Sequence, residues 1–328
     1  MNSSLLSLAS ILSITLLYSA PLIYTALGGV LSENAGVVNI GLEGMMAIGA
    51  VVGSIVGYYL GNPWLAFLCG GLGGMLIALL HAIATVNFAA DHVVSGIAIN
   101  LIGPGLALFL CRLFFDGAAM SKSIDYENKL PVLFGKVFKS GGGKGIMKFL
   151  DIVFSQYASV YLAFVLVFVV YFILYKTRLG LRIRAVGEYP KAAETLGVDA
   201  YKIKYICVLA SGFLAGLGGA SMSLAVVSNY RETLISGQGF IALAAVIFGG
   251  WKPQGAMLAC TRTFSFPWLH WNINRYKLTF NDSLRNNSSC LNNFRKGIKS
   301  TISRWTSIRK KQLKIKFVSA SAGTFFMP

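Results

Sequence analysis

Seven long stretches of this chain are apolar, and short polar interruptions separate them. They cover residues 5–30, 36–60, 65–86, 93–115, 157–175, 205–227 and 240–260. Each approaches the ~20 apolar residues needed to cross ~30 Å of hydrocarbon as a helix. The pattern predicts an all-α polytopic membrane protein with about seven transmembrane or re-entrant segments. The second stretch is interrupted by Asn39, Glu43 and several glycines. The third carries Gly70, Gly71, Gly73 and Gly74, which allow helices to approach closely. Asn62-Pro63 marks a turn, Asp91-His92 breaks the pattern, and 116–155 is a long polar connection whose GGGKG run (141–145) suits a flexible linker.

The segment between the fifth and sixth stretches is unusually basic. Residues 176–204 hold Lys176, Arg178, Arg182, Arg184, Lys191, Lys202 and Lys204 against Glu188, Glu194 and Asp199. Such an excess marks a loop on the cytoplasmic side. By parity, 116–155 and Arg231-Glu232 lie outside, and Asp91-His92 and the tail lie inside. The N-terminus then lies outside, provided that 36–60 spans rather than re-enters. The loop also carries a short helix of its own. Pro190 suits a first helical position, and Gly197 suits the left-handed residue that ends a helix. Ala192, Ala193 and Leu196 fall on or near one face of it. Two readings stay open: a solvated loop that sets topology, or a plug for a groove on a partner.

Composition agrees with a membrane protein. Hydrophobic residues make up 55% and charged residues 12%, about half the charge of a soluble domain, and mean hydropathy is +0.65. The net charge of +17 is unevenly placed. Residues 1–260 have 16 basic against 11 acidic residues, net +5; residues 261–328 have 13 against Asp282 alone, net +12. No Lys or Arg precedes Arg112, so the first stretch lacks the basic start of a signal peptide and reads as a first span. The five cysteines are scattered, without a CxxC or Cys/His cluster. The chain contains no GxxxxGK[ST] phosphate-binding loop. No catalytic residue, metal site, cofactor or nucleic-acid partner is expected, and the chain is not expected to be an enzyme.

Transport remains, and it requires polar groups where lipid forbids them. Asn39 and Glu43, in the run NIGLEG, form one candidate: the flanking glycines suit a broken helix lining a cavity, or Glu43 caps a helix start. Asn87, Asp91 and His92 form a second, which reads more simply as a solvated turn. Gln238 and Phe240, in SGQGF, form a third: a half-helix start beside a pathway, or a plain turn.

Four motifs, in order, carry a resemblance. They are ENAGVVNIGLEGMMAIGA (33–50), RLGLRIRAVGEYPKAAETLGV (178–198), SGFLAGLGGA (211–220) and GQGFIALAAVIFGGWKPQGA (237–256). Together they resemble the permease subunits of ATP-binding-cassette importers of the branched-chain amino acid/simple sugar type, most of all those of bacterial nucleoside uptake systems. The resemblance implies a multi-pass protein of the bacterial cytoplasmic membrane, working by alternating access. It implies three protein partners: a cytoplasmic ATPase, a second permease chain in a homo- or heterodimer, and an extracytoplasmic substrate-binding lipoprotein. It also implies that Gly187, Glu188, Pro190, Ala192, Ala193, Leu196 and Gly197 contact the ATPase. A ribose-like sugar or branched-chain amino acid remains an alternative substrate, and an ion-coupled secondary transporter an alternative class.

After Cys260 the apolar pattern stops. Residues 261–328 are basic and rich in Asn and Ser, with no run of span length. They form either a genuine cytoplasmic tail attracted to anionic lipid or, as the abruptness of the change favours, a stretch translated out of frame.

Overall fold

The computed structural model describes residues 3–125, 128–133 and 146–273. The 141–145 linker and the tail from 274 onward lie outside the described residues. Eleven α-helices are described: α1 Ser3–Asn34, α2 Leu42–Leu60, α3 Pro63–Ala82, α4 His92–Phe114, α5 Ile146–Phe154, α6 Ala158–Lys176, α7 Arg178–Glu188, α8 Pro190–Thr195, α9 Ala200–Ser221, α10 Gln238–Phe248 and α11 Pro253–Ile273. Single π-helical turns extend α3 (Ile83–Asn87) and α9 (Met222–Val226). Six of the helices are long and apolar enough to cross a membrane. In hydrocarbon only a helix or a closed barrel satisfies every backbone N–H and C=O internally.

Polar residues at the ends set the limits of these helices. Asn62 accepts from the N–H groups of Trp64 and Leu65, with Pro63 in the first turn of α3. Asp91 accepts from Val93 and Val94 and starts α4, so Asp91 is a helix cap. Asp199 accepts from Lys202 N–H at 3.1 Å and starts α9 five residues before the apolar stretch begins. That backbone bond, then the Lys202 ammonium, holds the Asp199 carboxyl below the usual carboxylate range.

Helices α1, α2, α3 and α9 form the centre, and α4, α6 and α10 pack around them. Burial follows this order: 78% of the apolar window of α9 is enclosed, against 22% for α4. The centre is held by glycines in register. A Cβ on Gly49 would sit 2.3 Å from Gly216 O, one on Gly74 2.4 Å from Gly212 O, and one on Gly219 1.9 Å from Met46 O. With no hydrophobic drive between helices in lipid, this close backbone approach supplies the dispersion contact that joins them.

Successive segments alternate between two ends. At one end, Tyr205 donates to Asn87 (3.0 Å) and Asn34 to Trp251 O (3.2 Å), beside the basic loop. At the opposite end, Ser121 N–H bonds Tyr230 O and Ile124 N–H bonds Ser228 O, while Gln156 donates to Ser13. The N-terminal half of α1 therefore lies at the end away from the basic loop. Gly61, just past α2, lies against Asn128 at that same end, so the second stretch crosses rather than re-enters.

One expectation needs correction. The seventh stretch is not one span. It is a short helix, α10, then a turn through Gly249 and Gly250, then α11 starting at Pro253. The turn is stabilised by Trp251 N–H bonding Val246 O and Gly250 N–H bonding Ile247 O. Helix α11 runs through Cys260, which it buries fully, to Ile273.

The glycine register makes a prediction. Gly219→Ala is expected to cost about 2 kcal/mol by overpacking, read as a lower unfolding midpoint of the detergent-purified protein. Gly105→Ala, where a new Cβ meets nothing within 4 Å, is expected to be neutral or to stabilise by up to about 1 kcal/mol.

Candidate functional site

Glu43 lies in the first turn of α2, yet its partners are 194 and 196 residues away. One carboxylate oxygen accepts from Gly237 N–H at 2.5 Å and the other from Gly239 N–H at 2.8 Å. These donors are among the free N–H groups that open α10. The carboxylate therefore caps that helix and meets the positive end of its dipole. Gly239 is required here, because a Cβ on it would come within 2.5 Å of the Glu43 backbone.

The approach to Glu43 is equally fixed. Residues 37–39 carry no regular structure and a turn leads into α2. Asn39 is fully buried; its amide donates to Ser211 Oγ of α9 (2.9 Å) and its carbonyl accepts from Gly41 N–H (3.2 Å). Asn100 of α4 holds the same turn from the other side. It donates to Ile40 O (2.8 Å) and accepts from Gly44 N–H (3.0 Å). Gly44 and Gly103 touch through backbone, where a Cβ would meet Gly44 Cα at 2.4 Å. Asn100 lies eight residues into α4, so at 1.5 Å per residue the clamp sits ~12 Å from the end that carries the basic loop. The 11 residues of α10 give a similar depth, ~16 Å.

The structure thus joins two of the three polar candidates: NIGLEG and SGQG meet at Glu43. The third touches only the approach to this site, through His92, whose ring Nδ1 accepts from Val38 N–H at 3.3 Å. Asp91 caps α4, and Asn87 accepts from Tyr205 at that end of the bundle. Of the pathway residues, Asn39 is enclosed and Phe240 is 48% exposed. Gln238 is half-buried beside Glu43, and its side-chain carbonyl accepts no hydrogen bond among the described residues. Asn100 and Ser211 escaped the sequence reading. Asn100 did leave a signal, an isolated amide inside the fourth apolar stretch; Ser211 left none beyond its small-residue motif.

The basic loop forms two helices, α7 and α8, of which only α8 was foreseen. Pro190 occupies the first turn of α8, and Gly197 is left-handed at φ +78°. Leu196 is 82% and Tyr189 62% exposed, and Ala192, Glu188 and Gly197 are also exposed. Pro190 and Gly187 are half-buried. Ala193 is only 3% exposed and packs into this chain's own core. It supports the helix from beneath, and the outward face is that of Tyr189, Ala192 and Leu196.

Comparison with known proteins gives the site its context. Residues 11–262 match the family described as the branched-chain amino acid transport system / permease component. That match ends two residues past Cys260, where the composition changes. The guanosine ABC transporter permease protein NupQ of Bacillus subtilis is 44% identical over 263 residues, 76% of this chain and 78% of its own length. The nucleoside ABC transporter permease protein NupC of Lactococcus lactis is 43% identical over 258 residues, 74% of this chain and 76% of its own. The putative glucose ABC transporter permease protein TsgC13 of Haloferax volcanii is 36% identical, covering 75% and 72%. No solved structure matches.

Removing the clamp carboxylate strands two N–H groups at membrane depth. Glu43→Ala is expected to lower unfolding stability by about 3 kcal/mol, measured by thermal denaturation in detergent. Glu232→Ala, at an exposed acid, serves as the unchanged control.

Proposed function

The chain belongs to the branched-chain amino acid transport permease family, a multi-pass membrane transport subunit, and on that footing we propose that it moves nucleosides inward in an ATP-driven importer. ATP hydrolysis takes place in a partner ATPase that docks at the end carrying α7 and α8, which is then cytoplasmic. A second permease chain and an extracytoplasmic binding lipoprotein complete the complex. The observation that carries the ATPase contact is α8: a short helix at the basic end whose apolar outward face, Tyr189, Ala192 and Leu196, is unpartnered in this chain. Gly187, Glu188, Pro190 and Gly197 shape and flank that surface.

Nucleosides are favoured over sugars because NupQ and NupC, at 44% and 43% identity, are named for guanosine and nucleosides, and TsgC13, named for glucose, stands at 36%. The pathway lies beside Glu43. Phe240 and Ile241 of α10 and Ile97 and Leu101 of α4, helices that flank the clamp, carry exposed apolar side chains. A half-buried carboxylate and the buried, unpartnered side-chain carbonyl of Gln238 at membrane depth suit a polar path shared with the second permease, and disfavour contact with lipid. Alternating access would open and close that path as the ATPase cycles.

A further proposal concerns the tail. The family match and the apolar composition stop within two residues of each other, at 262 and 260. This supports out-of-frame translation of the segment beyond. Resequencing the locus and its transcript tests it; an intact frame encoding this tail refutes it.

The transport reading is tested with the complete complex in proteoliposomes, in a version of this chain carrying full-length spans. Labelled guanosine uptake should require ATP and be competed by nucleosides, not by ribose, glucose or leucine. Leu196→Glu should reduce uptake about tenfold, the loss of about 1.4 kcal/mol at one contact, with normal membrane insertion. Ala193→Glu is a poorer probe, because it places a charge in the chain's own core.

A further inference from the structure

If α8 receives the ATPase, as proposed above, a displacement there has to reach the Glu43 clamp deeper in the membrane. Three elements converge at one point between them. Gly187, in the last turn of α7, lies on the turn between α1 and α2: a Cβ on it would come within 2.1 Å of Asn34 O. Gly36, left-handed at φ +80°, faces Gly187 across the same contact, where its own Cβ would be 3.2 Å from Gly187 Cα. From the other side, the indole N–H of Trp251 donates to a carboxylate oxygen of Glu33, and Asn34 donates to Trp251 O at 3.2 Å. Trp251 itself is held at φ +58°, a conformation that a bulky residue adopts only when its surroundings impose it. A cavity of about 520 Å³, lined by Glu33, Arg184, Gly187, Glu188 and Trp251, leaves room at this point.

Both arms of the clamp begin here. The segment that starts at Val37 carries Asn39 and Glu43. Helix α10, whose N-terminus Glu43 caps, ends at Phe248, three residues before Trp251. We propose that the Glu33–Trp251 bond, seated on the Gly187–Gly36 contact, is the relay through which α7 and α8 move both arms together. Glu33 and Trp251 are then positioning residues: they touch no substrate and set the angle between the 37–43 segment and α10. With the bond broken, movement of α7 still pushes the α1–α2 turn but no longer carries α10 with it.

The test uses the assembled importer. Trp251→Phe keeps the ring and removes the donor. Glu33→Leu keeps the approximate volume and removes the acceptor. Glu33→Gln keeps an oxygen that accepts the indole N–H. The first two are expected to assemble and to hydrolyse ATP within about twofold of wild type, while ATP-dependent uptake falls about tenfold, in the range that one coupling contact carries. Glu33→Gln is expected to retain uptake. Wild-type uptake with unaltered uptake in Trp251→Phe and Glu33→Leu overturns the relay and leaves the transport reading standing. Failure of both variants to assemble makes the pair a fold contact and also overturns the relay. Uptake by the wild-type complex that needs no ATP overturns both.

Discussion

Backbone groups inside a membrane have no water to turn to, and in this chain one carboxylate and two amides meet that requirement for two broken segments. The segment 37–41 and the start of α10 both interrupt regular structure ~12–16 Å from the loop-bearing end. Glu43 answers for the second of them by accepting two α10 N–H groups, and Asn39 and Asn100 answer for the first. Gly239 makes room for the backbone of Glu43, Gly237 takes the left-handed φ of +86° ahead of α10, Gly44 and Gly103 let α4 approach, and Ser211 ties Asn39 to the central α9. The carboxyl oxygens are met by backbone dipoles rather than by a counter-charge among the described residues. They also occupy the anion site that the N-terminus of α10 would otherwise offer.

The chain divides into a part that supplies rigidity and a part that supplies exposed chemistry. In the central helices, small residues are aligned with small residues and backbone meets backbone. The outer helices are less enclosed, and the basic loop ends in a six-residue helix that rests on Ala193 and turns Tyr189 and Leu196 outward. This division suits a subunit whose energy source lies elsewhere. In the proposed importer, the surface that would receive force and the groups that would face substrate are on different elements, joined at the α1–α2 turn.

The spans were legible because ~20 apolar residues in a row have one economical use in a membrane protein. The charge excess at 176–204 was legible too, and so was α8, since Pro190 and Gly197 bound it locally. The break between α10 and α11 was not. Gly249-Gly250 sits in an apolar run, and glycine pairs are also common inside packed spans, as Gly70-Gly71 and Gly73-Gly74 are here. Ala193 looked equal to Ala192 because helical spacing says which residues share a face but not which face meets the body of the protein. Glu43 stood out as an acid in an apolar stretch. Its partner could not be found that way, because the donors are backbone N–H groups of glycines, which carry no side-chain signature.

The glycine seam has one more consequence, for how this subunit can move at all. Where Gly49 lies under Gly216 O and Gly219 under Met46 O, no free travel exists along the helix axes. A slip of α9 by one residue would set Ala215 or Leu217 where only a hydrogen fits. Helices α2, α3 and α9 are keyed like a rack and pinion with the gear locked: they can tilt as a block, but they cannot slide past one another. Any rearrangement that this chain undergoes is therefore confined to hinges at the rim of that block, and the permitted motions are rotations rather than translations.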